Sequence, residues 1–176
     1  MATLYLIRHG EPELRGVFLG QMNSALSAHG HERASGALRG ALRGVEVAVV
    51  YTSPLLRARQ TAEYIGCRQL IELPDLLELD HGEWTGRTWP EIEAGWGGLA
   101  RRKSADWLGI AAPGGEPWPD LLRRAGRVRE RIRSGPEPCA VVAHQGVNAA
   151  IASLFGPTDP LHFQQQYGEV IRIEYA

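Results

Sequence analysis

The sequence predicts an open α/β sheet with helices on both faces. Two observations carry this. Short apolar runs of strand length alternate along the chain with segments whose apolar residues recur at helical spacing, and several of the runs stop abruptly at polar, glycine-bearing turns. No internal repeat, linker or low-complexity tract interrupts the alternation, so the 176 residues read as one domain over 1–176.

Taken in order, Thr3 to Ile7 is β-rich and apolar and ends at Arg8-His9-Gly10, three residues that no buried strand would choose for packing. A polar stretch leads to Leu26, after which Ala34, Ala37, Leu38, Ala41 and Leu42 repeat as one helical face, with Ser27 placed upstream as a cap. Val47 to Tyr51 is a continuous apolar run. Thr52-Ser53-Pro54 then supplies a cap and a proline at the first position of a helix running to about Ile65. A short apolar segment, Gln69 to Leu73, precedes a glycine- and tryptophan-rich loop between Glu78 and Gly86, and Thr88 to Glu91 has capping-box spacing. From Trp96 to Trp118 the pattern is least regular, and an irregular insertion over the site is expected there. Leu121, Ala125, Val128 and Ile132 form one helix face, while the arginines around them, interleaved with Glu130, read as a solvated surface. Ala140 to Ala143 is a second buried strand, ending at His144-Gln145-Gly146. The helix after it turns Val147, Ala150, Ile151 and Leu154 inward, and Val170 to Tyr175 alternates like a half-exposed edge strand.

Charge narrows the functional classes. Nineteen basic and twenty acidic side chains leave a net charge of −1, so no strong overall field recruits nucleic acid or an anionic membrane. Lys103 is the only lysine. It lies in the run Arg101-Arg102-Lys103, where no apolar pocket is expected around it, and this argues against Schiff-base chemistry. No basic leader with a long apolar region is visible at the N-terminus and no run is long enough to span a membrane. Cys67 and Cys139 lie far apart, in no metal or redox spacing, and read as small apolar filling. A cytoplasmic location is expected. Oligomeric state is not fixed by the sequence, and a homodimer is left open.

In open α/β sheets ligands bind outside the carboxyl ends of the strands. Three predicted strands end there in polar groups: Arg8-His9 after the first, Ser53 and then Arg57 after the second, and His144 after the later one. Two histidines and two arginines at one edge make a cationic pocket in a neutral chain, and a guanidinium fork suits a tetrahedral oxyanion, so a phosphate group is the expected ligand. Gly10 is expected to let backbone approach the anion, with donors added by the helix starts after Ser53 and His144. A metal is disfavoured, because no carboxylate or thiol lies at ligand spacing from either histidine and the arginines would repel a cation. His29 and His31 read as a solvated pair, and Ser53 as a helix cap. Glu11 is either a buttress for the arginines or a loop charge.

At these residues the chain resembles the histidine phosphatase superfamily, the group that includes cofactor-dependent phosphoglycerate mutases. LIRHGEPE matches its L-x-R-H-G-E signature and LGQMNSALSAHGHERA the G-x-x-D/N-x-x-L-x-x-x-G stretch. YTSPLLRARQTAEYI, LLELDHGEWTG and VVAHQGV match three further blocks in the same order. The resemblance implies a three-layer α/β/α sandwich, mostly parallel with an antiparallel edge strand. It implies His9 as a nucleophile forming a phosphohistidine, with Arg8, Arg57 and His144 holding the phosphoryl oxygens and Glu78 as proton donor and acceptor. Gly10, Gln21, Asn23 and Gln145 fall among the substrate-binding positions. The implied partner is a small phosphate ester, with neither metal nor cofactor required. An acid at Glu78 would make the rate fall as pH rises above its pKa.

Branches of the superfamily differ in outcome. Pro12 replaces the hydroxyl residue that follows the signature in the mutase branch, and Glu13-Leu14-Arg15 stand where that branch has a tryptophan-asparagine pair. Arg101-Arg102 resembles the tandem arginines with which mutases clamp a substrate carboxylate, although a solvated basic turn explains the pair as well. The Pro113 to Glu116 run followed by an arginine-bearing helix resembles the phosphatase branch. VVAHQGV and LHFQQQYGEV resemble α-ribazole phosphatases, which act on a nucleotide-like monoester. Trp84, Trp89, Trp96, Trp107 and Trp118 either line an aromatic cleft for such a substrate or pack beneath the insertion. Phosphomonoester hydrolysis is therefore the expected activity, with a mutase and a catalytically inactive phosphate-binding adaptor as the alternatives.

Overall fold

The computed structural model describes residues 1–176. Strands β1 (Ala2–Arg8), β2 (Val47–Thr52), β3 (Cys67–Glu72), β4 (Cys139–Ala143) and β5 (Val170–Tyr175) form one sheet in the order β3-β2-β4-β1-β5. Every neighbouring pair is parallel except β1 with β5, so the closing strand is an antiparallel edge, as expected from its alternation. The five helices are α1 (Ala28–Ala41), α2 (Leu56–Ala62), α3 (Trp89–Ala105), α4 (Trp118–Arg133) and α5 (Gln145–Phe155).

Alternate side chains of each strand feed opposite layers. Leu4 and Leu6 of β1, Val49 and Tyr51 of β2 and Val141 of β4 bury against Leu121, Ala125, Val128 and Ile132 of α4 and Val147 and Ile151 of α5. On the other face Ile7, Val50, Ala140 and Val142 meet Leu38 of α1 and Ala58 and Ala62 of α2. The helix after β4 therefore leaves on the opposite face from those after β1 and β2. The chain diverges between these adjacent strand ends and opens a crevice there.

Two local expectations hold in detail. Ser27 Oγ accepts from the Gly30 amide at 2.9 Å to cap α1, and Thr88 and Glu91 form the reciprocal capping box of α3. Others need correction. Residues 96–105, expected to be irregular, continue α3, and the Gly97-Gly98 pair is accommodated by a kink at Trp96 (φ −133°, ψ 32°). Ile92 and Ala100 anchor that helix with Trp84, giving the region a small core of its own; only 106–117 is loop. Helix α2 starts at Leu56, two residues beyond Pro54. Lys103 is buried, because successive helical residues point about 100° apart and Lys103 shares the inward face of Ala100 while Arg101 and Arg102 stay exposed. Arg124 is likewise buried, in a helix whose other arginines remain at the surface or partly so. No helix is long and apolar enough to cross a membrane, and both cysteines are free.

Candidate active site

The ends of β1, β4 and β2 lie side by side and deliver His9, His144 and Ser53 to one place. His9 is buried, and its Nδ1 donates to the Gly10 carbonyl at 2.6 Å. A carbonyl only accepts, so the ring proton sits on Nδ1 and Nε2 carries the lone pair. That Nε2 accepts from Arg57 Nε at 3.3 Å. Burial, and then the charge of Arg57, hold the His9 pKa well below its ordinary value of 6.5, so the ring is neutral at neutral pH.

Arg57 comes from the first turn of α2 and is almost fully buried. Its terminal nitrogens donate to the carbonyls of Met22 (2.6 Å) and Gly20 (2.8 Å), tying the 16–23 loop to the site. Arg8 lies over the Tyr167 ring, 4.1 Å from its centroid, and donates to the Gln165 carbonyl at 2.6 Å. His144 is wholly buried, its ring centre 5.0 Å from that of His9, and its Nε2 meets Ser53 Oγ at 2.8 Å. Burial and the neighbouring cationic groups hold its pKa well below 6.5 also. Six buried side-chain polar atoms in the molecule lack a partner, and two of them, Arg8 Nε and His144 Nδ1, belong to this cluster. Unsatisfied buried groups are costly, so their concentration here marks a place prepared for a polar ligand.

Glu78 approaches from the segment after β3. Its carboxylate accepts from the amides of Leu79 (2.9 Å), Gly146 (3.1 Å) and Val147 (3.2 Å), the last two at the N-terminus of α5. A Cβ on Gly146 would stand 2.6 Å from Glu78 Oε1, so glycine is required for this approach. Two adjoining cavities share Arg8, Phe18, Glu78 and His81. The smaller, about 280 Å³, also touches His9, Arg57 and Tyr167. The larger, about 650 Å³, is walled by Trp107, Ile110, Trp118 and Phe163.

Four predicted substrate contacts are placed differently from one another. Gln145 lines the larger cavity but donates to Phe163 O (2.7 Å) and accepts from Gln165 N (3.2 Å), bracing the 163–165 loop. Gln21 is exposed and donates to the Glu78 carbonyl at 3.1 Å. Asn23 Oδ1 accepts from Leu56 N at 2.7 Å and thereby caps α2, the role assigned by sequence to Ser53. The Gly10 amide is taken up by Thr61 Oγ1 at 2.9 Å and is not free for an anion; a Cβ there would lie 2.9 Å from Gly30 O, so close packing on α1 is what demands glycine. Glu11 holds Ser27, Arg15 and His29 and touches neither site arginine, so it is a loop charge. His31 is engaged with Tyr64 at 2.7 Å.

Sequence reasoning missed several participants. Tyr167 and Gln165 lie in the LHFQQQYGEV run but carry no separate sequence signal. His81, its pKa lowered by burial, borders both cavities. Lys103 reaches the larger one, donating to the carbonyls of Trp107 and of Ile110 (2.6 Å), and its burial lowers its pKa. The tryptophans divide. Trp84 is buried with Trp89 and Trp96 packed against it, while Trp107 and Trp118 wall the larger cavity.

Fold and site together define a protein built around a neutral histidine among arginines at the edge of an open α/β sheet, and comparison with known families identifies its family. The chain belongs to the histidine phosphatase superfamily (branch 1), whose family model matches residues 4–176. It is similar to a bifunctional protein of Mycobacterium tuberculosis, 35% identical over 144 residues; the match takes in 79% of this chain but only 39% of that longer protein. It is 29% identical over 170 residues to a 2,3-bisphosphoglycerate-dependent phosphoglycerate mutase of Methylobacterium radiotolerans, covering 89% of this chain and 80% of that one. Among solved structures it superposes on the α-ribazole phosphatase of Shigella flexneri with a TM-score of 0.86 at 28% identity, covering 98% of this chain and 90% of that one.

Proposed function

We propose that the chain hydrolyses phosphate monoesters through a phosphohistidine on His9. The observation that carries this reading is the Nδ1-protonated His9, its lone pair on Nε2, with two buried side-chain nitrogens nearby that lack partners, Arg8 Nε and His144 Nδ1. His9 Nε2 attacks phosphorus as the ester P–O bond breaks, and Glu78, entering this step as the carboxylic acid, gives its proton to the departing oxygen. Glu78 then takes a proton from water, which attacks the phosphohistidine; the N–P bond breaks, phosphate leaves and both groups return to their starting states. Arg8, Arg57 and His144 bind the phosphoryl oxygens and gain strength as charge develops on them. With the Ser53 hydroxyl donating to His144 Nε2, the ring proton falls on Nδ1, the atom that lacks a partner.

The larger cavity supports hydrolysis of a bulky, aromatic-faced ester, and α-ribazole 5′-phosphate is the specific substrate proposed. Its apolar walls offer a base-sized surface. Arg101 and Arg102, which a mutase would need against a substrate carboxylate, are exposed and border neither cavity. The test is turnover of p-nitrophenyl phosphate in chelator, abolished by His9→Ala. A substrate panel of α-ribazole 5′-phosphate and 3-phosphoglycerate with its bisphosphate primer follows, scored for free phosphate and isomerised product. Equal turnover by His9→Ala would remove the nucleophile, and efficient isomerisation with little phosphate release would favour the mutase.

A further inference from the structure

We infer that Arg124 is the positioning residue for Glu78 and that the Pro113–Glu116 run serves to hold Arg124; the inference rests on the acid/base role proposed for Glu78. Arg124 projects from α4 and is only 8% exposed. All five of its N–H donors are used. Nη1 donates to the carbonyls of Asp75 (2.7 Å) and Leu77, and Nη2 to that of Glu78 (3.1 Å). Nε and Nη2 grip the two oxygens of Glu116 at 2.8 Å each. No donor is left for a substrate, so the side chain acts only through what it holds. It holds the peptide carbonyl of Glu78 itself and two just before it.

Glu116 is fixed in turn by the docking of its turn on the segment that follows Glu78. Glu83 N donates to Pro113 O at 2.9 Å and Glu116 N to Asp80 O at 2.8 Å. Cβ atoms would lie 2.2 Å from Pro113 O if placed on Gly82 and 2.7 Å from Asp80 O if placed on Gly115, so backbone meets backbone and neither glycine is replaceable without displacement. The 75–83 segment is thus clasped from α4 and from the 113–116 turn, with the Glu78 carboxylate seated on the α5 amides. Proton transfer needs the carboxyl within about 2.6–3.2 Å of the leaving oxygen. A misplacement of about 1 Å costs on the order of 10²-fold. Lysine has three donors and cannot reproduce the arrangement.

The experiment compares kcat/KM, which reports phosphoenzyme formation, for p-nitrophenyl phosphate and phenethyl phosphate. The former leaves readily as a phenolate and the latter needs a proton. In Arg124→Met, phenethyl phosphate turnover is expected to fall on the order of 10²-fold and p-nitrophenyl phosphate by less than about threefold, with product inhibition by inorganic phosphate unchanged. Glu78→Gln shows the same split, the double variant is no slower than Glu78→Gln alone, and Arg124→Lys recovers only part of the loss. Equal loss on both esters, or none, in Arg124→Met while Glu78→Gln splits them overturns the inference and leaves the role of Glu78 intact. Absence of a split in Glu78→Gln removes that role and the inference with it. Should Arg124→Met fail to fold, Glu116→Gln is judged by the same criteria, with a smaller split expected.

Discussion

The two cavities that share Arg8 and Glu78 are built on different principles. The smaller takes its key groups from rigid parts of the fold. His9 follows β1, Arg57 sits in the first turn of α2, and the adjoining His144 is anchored between β4 and α5. The larger is walled by the 78–81 segment, the end of α3, the 106–110 and 160–164 loops and the start of α5, with half of its lining residues apolar. On the proposed reading, secondary structure would hold the group common to every phosphate ester, and the loops would meet whatever distinguishes one ester from another. Reaction and selectivity are therefore separable by substitution.

The largest expected effect breaks the first region. His9→Ala removes the proposed nucleophile, and turnover of every ester should fall on the order of 10⁴-fold or more, with no acid-labile phosphoenzyme trapped on rapid quenching. Next is Arg57→Met, which removes a cation from beside His9 and frees the Met22 and Gly20 carbonyls. A loss on the order of 10²–10³-fold is expected, again irrespective of the leaving group. Trp107→Ala sharpens the contrast. KM for a naphthyl phosphate should rise about tenfold, corresponding to roughly 1.4 kcal/mol of lost contact, while kcat and the KM for ethyl phosphate stay near wild type. A uniform loss across esters would show that the two regions are not separable.

The smallest effect is read in stability. His9 and His144 stay neutral in the folded protein below pH 6.5, whereas their unfolded counterparts take up protons there. Where the unfolded state binds more protons, stability falls with falling pH, so each histidine contributes a slope approaching about 1.4 kcal/mol per pH unit below 6.5. This contribution is fully present above the unfolded pKa and is lost as pH drops toward the folded one. Urea unfolding between about pH 7 and pH 5 should show the slope, and His9→Gln should reduce it by about half.

Sheet and site were legible in sequence to the extent that each depends on local pattern. β1 and β4 announce themselves as apolar runs, and Arg8-His9 and His144 stand out because they end those runs. Thr88 and Glu91 cap α3 by a rule confined to four residues. What failed depends on rotation and on distant partners. Arg124 is one of six arginines between Arg123 and Arg133, and only the position of the 75–78 carbonyls separates it from its solvated neighbours. Glycines 97 and 98 suggested loop, but the buried face of Ile92 and Ala100 keeps the helix and concentrates the irregularity in one kink. Asn23 rather than Ser53 meets the first α2 amide because of how the 16–23 loop lies across the helix start, while Ser53 Oγ accepts from Leu55 N just before the helix and meets His144.

Lys103 has a consequence for handling the molecule. The chain's single lysine is turned inward and bonded to the carbonyls of the 106–110 loop, so the folded surface presents no lysine amine to acylating reagents. Its modification rate, readable by mass spectrometry without adding a probe, reports how readily a reagent enters the larger cavity that Lys103 lines.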